Sequence, residues 1–181
     1  SCKDLVQFHA TLSNHTNLER IKVRVLNCLN LAAFCPVLDE LPSIKSLEFE
    51  IGSSSLQDIQ LTLFLKRIKQ ANIRSLDFLS IKLANNHYLQ SPEIIFEGVE
   101  EIKQLILDMS TCNQLQAPKI DLTTIQKLPK FSILLDNCSE LTEPHIEFPD
   151  VHFSQQKAIS YEGSNNLSSE LKETWEKLMK N

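Results

Sequence analysis

Residues 41–60 read LPSIKSLEFEIGSSSLQDIQ. The stretch predicts a strand that begins after Pro42 and stops at Gly52, with a helix opening on the serine run 53–55. Ile44, Leu47, Phe49 and Ile51 are its apolar positions. A lone βα unit would direct attention to a pocket, whereas one copy of a repeat would direct it to a surface.

The rest of the chain repeats the pattern. Leu18, Ile21 and Val23 stand at the spacing L-x-x-L-x-L, as do Ile44, Leu47 and Phe49. Ile73, Leu76 and Phe78 give a third frame, Ile102, Leu105 and Leu107 a fourth, and Leu128, Phe131 and Ile133 a fifth. Their first residues are 26, 29, 29 and 26 residues apart. A sixth frame, after a shorter step, holds Phe148, Val151 and Phe153.

Helices are expected between the strands. Residues 55–70 open on a serine cap and carry Leu56, Ile59, Leu63 and Ile68 near helical spacing. The runs KDLVQFHATL (3–12), LNLAAFCPVLDEL (29–41) and DLTTIQKL (121–128) are assigned as helices before the first, second and fifth strands.

Bulk properties narrow the class. The 181 residues are 42% hydrophobic and 23% charged, with a net charge of −5, so a globular core is expected and a nucleic-acid footprint is not. No apolar run is long enough for a membrane span. Cys2, Cys28, Cys35, Cys112 and Cys138 are widely spaced without a CxxC, which predicts buried reduced thiols in an intracellular protein, cytoplasmic or nuclear. Sequons at Asn14, Asn137 and Asn166 are no more than chance supplies in so Asn-rich a chain. The opening SCKDLVQFH is read as a boundary within a larger protein.

The five frames resemble the leucine-rich repeat family, in its irregular, long-repeat, helix-containing form known from ribonuclease inhibitor, F-box substrate receptors and NLR-type immune sensors. The resemblance covers residues 3–158. It implies an α/β solenoid, a curved parallel sheet with helices on its convex side. Repeats occupy residues 1–160, a linker 161–168 and a C-terminal helix 169–181. The family's polar ladder position falls here on Leu26, Gly52, Ile81, Ser110 and Asp136, a departure from its usual Asn or Cys.

Because strand side chains alternate, residues between the leucines face outward on the concave sheet. These include Arg20, Lys22, Arg24, Glu48, Glu50, Asp77, Leu79, Ile106, Asp108 and Leu134, the candidate partner-binding set. The sixth frame adds Asp150, His152 and Ser154. Parallel register would put Lys22 beside Glu48 and Arg24 beside Glu50. Two readings stay open: exposed ion pairs that serve solubility, or a mixed apolar and acidic patch that docks a basic or amphipathic segment.

In the tail, SSELKETWEKLMK (168–180) has Ser169 as N-cap and an apolar stripe of Leu171, Trp175, Leu178 and Met179. It either caps the solenoid or docks a partner.

Chemistry finds little support. Gly52, Gly98 and Gly163 are too few and too scattered for a phosphate cradle. His9, His15, His87, His145 and His152 show no metal-ligand spacing, and Cys138 with His145 or His152 lacks an activating signature. No catalytic residue, metal or cofactor is expected. The sequence points to a non-catalytic protein-binding module; the family resemblance suggests substrate recognition in an F-box-type ubiquitin ligase. The alternative is the sensing or autoinhibitory repeats of an NLR-type sensor, and a small hydrolase is more remote.

Overall fold

The computed structural model describes residues 5, 7–12, 15–31, 33–38, 41–58, 61, 62, 65, 66, 68, 71–150 and 156–180. Its strands are β1 (Gln7–Thr11), β2 (Arg20–Leu26), β3 (Ala33–Val37), β4 (Ser46–Gly52), β5 (Ser75–Leu76), β6 (Phe78–Lys82) and β7 (Glu93–Ile95). There follow β8 (Glu101–Ile102), β9 (Gln104–Asp108), β10 (Lys119–Asp121), β11 (Lys130–Leu134), β12 (His145–Glu147), β13 (Lys157–Ser160) and a C-terminal helix, Ser169–Lys180.

Every paired strand is parallel to its neighbour. Six strands form the main sheet in the order β13-β11-β9-β6-β4-β2, and β7, β10 and β12 form a second sheet of three. Partner residues are 26 apart at each step, as in Ile21↔Leu47, Leu79↔Leu105 and Leu105↔Phe131. One step is longer: Leu47 pairs with Leu79, 32 residues on. The chain is a parallel β-solenoid of about five turns.

Strand alternation builds the core. Leu47, Phe49 and Ile51 of the second rung are buried, as are Leu79, Ile81 and Leu83, then Leu105, Leu107 and Met109, then Phe131, Ile133 and Leu135. Stacked at one strand spacing, they make a single apolar column that no individual turn could bury alone. Each rung leaves the sheet through one residue in the left-handed region: Asn27, Ser53, Asn85, Thr111, Asn137 and Gly163, with φ between 51° and 75°. Asn and Gly tolerate that conformation best.

The register corrects the third frame. Leu79 and Ile81, not Leu76 and Phe78, occupy the places of Leu47 and Phe49. Steps of 32 and 26 residues have the same total as two steps of 29, so even spacing misled. The sixth strand is β13, whereas Val151, His152, Phe153 and Ser154 of the expected sixth frame lie outside the described residues.

Three expected helices are strands or turns. Residues 33–37 of LNLAAFCPVLDEL form β3, where Phe34, Pro36 and Leu38 are buried at a period of two. Pro36, lacking an N–H, suits a strand whose only described neighbour is β1. KDLVQFHATL holds β1. In DLTTIQKL, Asp121 Oδ1 accepts bonds from Thr123 N at 2.9 Å and Thr123 Oγ1 at 2.5 Å. That turn diverts the donors a helix would use. Helical residues do occur at 58, 61, 62, 65, 66 and 68, inside the long step, with Leu61, Leu65 and Ile68 buried. Ile59 and Leu63 lie outside the described residues.

The C-terminal helix packs on the last rung. Trp175 is buried and its ring stands 5.5 Å from that of Tyr161. Lys157 Nζ donates to the carbonyl of Leu178 at 3.1 Å, placing a cation at the helix's negative end. Ser168 rather than Ser169 caps the other end, its Oγ accepting from Leu171 N at 3.2 Å.

Candidate functional site: the open face of the six-stranded sheet

Where the chain leaves each strand, a buried polar ladder fixes the rungs. Its members are Cys28, Ser54, Asn86, Cys112, Cys138 and Ser164, each buried and one residue beyond a left-handed position. Cys112 Sγ donates to Leu83 O at 3.3 Å, Cys138 Sγ to Met109 O at 3.2 Å and Ser164 Oγ to Leu135 O at 2.7 Å. Asn86 Nδ2 donates to Ile51 O at 2.5 Å and Leu83 O at 2.7 Å, and its Oδ1 accepts from Ser54 N at 3.0 Å. The ladder therefore lies two residues beyond Leu26, Gly52, Ser110 and Asp136, and five beyond Ile81. Burial pushes the Cys112 thiol up to about 12 and raises that of Cys138. Cys138 is thus held protonated in the core while His145 is exposed on β12, its Nε2 2.6 Å from Glu147 Oε1. Cys28 is also buried with a free thiol; Cys2 and the side chains of Cys35 and His9 lie outside the described residues.

On the open face, charge concentrates at one end and cancels there. Lys22 meets Glu48 at 2.6 Å and Arg24 meets Glu50 at 2.6 Å. Just before the strands, Lys45 pairs with Glu19 at 2.6 Å and Lys103 with Asp77 at 2.7 Å. The bond that Lys45 donates to Glu19 raises the lysine, and the Lys103–Asp77 bond lowers the acid and raises the amine. Arg74 with Glu100 and Lys127 with Glu101 follow the same rule at 3.6 Å. In all six pairs the partners are 26 residues apart, so opposite signs stack on consecutive rungs. A shallow cleft of about 580 Å³ opens among Glu19, Arg20, Lys45, Glu48 and Asp77 beside Phe78.

The other end carries little net charge, because Lys82 and Lys130 stand against Asp108 and Asp136. Phe78, Ile106 and Leu134 are half-buried on the outer face of β6, β9 and β11, with Ser80, Ser132, Ala158 and Ser160 among them. Asp108 and Asp136 stand beside this strip. Asp108 Oδ1 accepts from Ser110 N at 3.0 Å, and Asp136 Oδ1 from Ser160 Oγ at 2.6 Å and Glu162 N at 2.7 Å.

Of the residues chosen from sequence, Arg20, Lys22, Arg24, Glu48 and Glu50 share the charged end, while Ile106, Asp108 and Leu134 share the neutral one. Leu79 belongs to neither. It is wholly buried, because the register shift turns it inward and brings Phe78 and Ser80 outward in its place. Asp77 sits in the bend between β5 and β6, off the strand rows. Phe78 was missed because the 29-residue frame made it a core position.

Among the described residues no group of three His, Cys, Asp or Glu side chains could hold a metal ion, and no helix is long and apolar enough to cross a membrane. The chain matches no family model, no curated protein and no solved structure. What the geometry defines is the architecture: a parallel β-solenoid with one broad open sheet face.

Proposed function

We propose that the chain is a non-catalytic protein-binding module that uses the open face of the six-stranded sheet. The observation that carries this reading is the strip Phe78, Ile106 and Leu134. Three large apolar side chains stay partly exposed on the same face as the Lys22–Glu48 and Arg24–Glu50 ion pairs. Contiguous apolar surface of that kind marks interfaces. The strands beneath it are fixed by backbone ladders and the polar ladder, so binding orders little. The repeat pattern's resemblance to F-box receptors supports the narrower reading that the bound segment is a substrate for ubiquitin ligation, with NLR-type sensing as the alternative.

The test is an affinity capture with the parent chain and with Ile106→Arg/Leu134→Arg, both checked by circular dichroism. A partner held by the parent and released by the folded variant supports the reading. A partner held equally by both refutes it.

A further inference from the structure

We infer that the occupant of this face is an amphipathic helix of about three turns, laid diagonally across the strands with a basic edge over Asp108 and Asp136. The inference rests on the binding role proposed above and deepens it.

The register supplies the path. Phe78 pairs with Ser46 and lies two residues before Ser80, which faces Ile106; Ile106 in turn faces Ser132, two residues before Leu134. Each apolar residue is therefore one strand over and two residues further along than the last. With strands about 4.8 Å apart and a rise of about 3.3 Å per residue, each step spans about 8 Å. The line from Phe78 to Leu134 is then about 16 Å long. An α-helix covers that distance in about eleven residues, which return to the same face after three turns. Apolar side chains at i, i+4, i+7 and i+11 form a stripe of that length.

The flanks give the helix its sign. On one side of the line stand Asp108 and Asp136, whose hydrogen bonds fall on Oδ1 and leave Oδ2 to accept from a cation. On the other side Ser132 and Ser160 are small enough to leave room for a helix backbone, and one lysine lies further out on each side, Lys82 past Asp108 and Lys130 past Ser132. A helix seated here meets two carboxylates along one edge and small serines along the other. That asymmetry fixes its direction as well as its charge.

The experiment is a selection from a display library of helix-stapled 14-residue peptides, apolar at positions 1, 5, 8 and 12 and randomised along both edges. The bait is the full 181-residue chain. The expected winners carry Lys or Arg along one edge only, and they lose binding to Ile106→Arg. Exchanging their edges should weaken binding roughly tenfold, the worth of two partly exposed ion pairs. Asp108→Asn/Asp136→Asn, which keeps the Oδ1 acceptors, should abolish that difference. Winners without edge preference would overturn the signed flanks, and winners that survive Ile106→Arg would overturn the location. If no stapled helix is selected while the affinity capture still yields an Ile106-dependent partner, the helix fails and the binding face stands. If both fail, the binding role falls with it.

Discussion

The thiol of Cys138 donates to the carbonyl oxygen of Met109, 29 residues earlier, at 3.2 Å. Ser164 repeats the bond to Leu135 through a hydroxyl at 2.7 Å. A short donor is what the position needs, so Cys138→Ser should fold with little loss. Cys138→Val removes the donor and leaves a buried carbonyl unpaired, at a cost of about 1–3 kcal/mol. Asn86 serves two carbonyls and one amide, so Asn86→Leu should cost more than Cys138→Val. Urea denaturation of the three variants checks the order.

Leu79 and Ile106 lie on neighbouring strands and opposite faces. Leu79→Arg should abolish cooperative unfolding, since it buries an unpaired charge in a filled core. Ile106→Arg should fold and melt within a few degrees of the parent. Thermal melting by circular dichroism distinguishes them. Reversed behaviour would mean the register is wrong by one residue.

Gly163 and Gly98 both have positive φ, +75° and +81°, but differ in surroundings. A Cβ on Gly163 would lie 2.3 Å from Asn137 Oδ1, whereas one on Gly98 meets nothing within 4 Å. Gly98→Ala should cost about 1–2 kcal/mol from backbone strain alone. Gly163→Ala should cost distinctly more, because Asn137 is itself held in a left-handed turn. Chemical denaturation of the two variants measures the difference.

Hydrogen bonds from Thr123, and then the charges of Lys119 and His145, hold Asp121 below the usual carboxylate range. A depressed folded value means the stabilisation is complete above the unfolded value of about 3.9 and is lost as pH falls through the folded one. Asp121→Asn should therefore reduce the fall in melting temperature below about pH 4 and leave its slope near neutrality unchanged. Melts from pH 2 to 7 provide the check, and an unaltered acid limb would count against the turn.

Much of the architecture can be read from the residues. The frames around Leu47, Leu105 and Phe131 mark true strands, and Lys22 with Glu48 and Arg24 with Glu50 meet where parallel register puts them. The third rung was hidden because IRSLDF (73–78) and LDFLSI (76–81), three residues apart, both satisfy the apolar strand pattern, and only stacking chooses between them. The second sheet was hidden for another reason: strands of three residues are too short to show a period. A signal existed in Pro92, Pro118 and Pro144, each one residue before a strand and 26 apart. The ladder was also legible as Cys112 and Cys138 at that interval, but Ser54 and Asn86 conceal it by differing in type.

The single 32-residue step changes what the scaffold tolerates. Six additional residues are taken up between β4 and β6, in the arc that carries the helical residues 58, 61, 62, 65, 66 and 68, and the strands on either side remain paired without a slip. Length is thus free to vary on the outer arc while the segment from strand to ladder is rigidly metered. A reporter or affinity tag spliced into that arc would enlarge the molecule on one side only. The open face of the six-stranded sheet would keep every residue in its row.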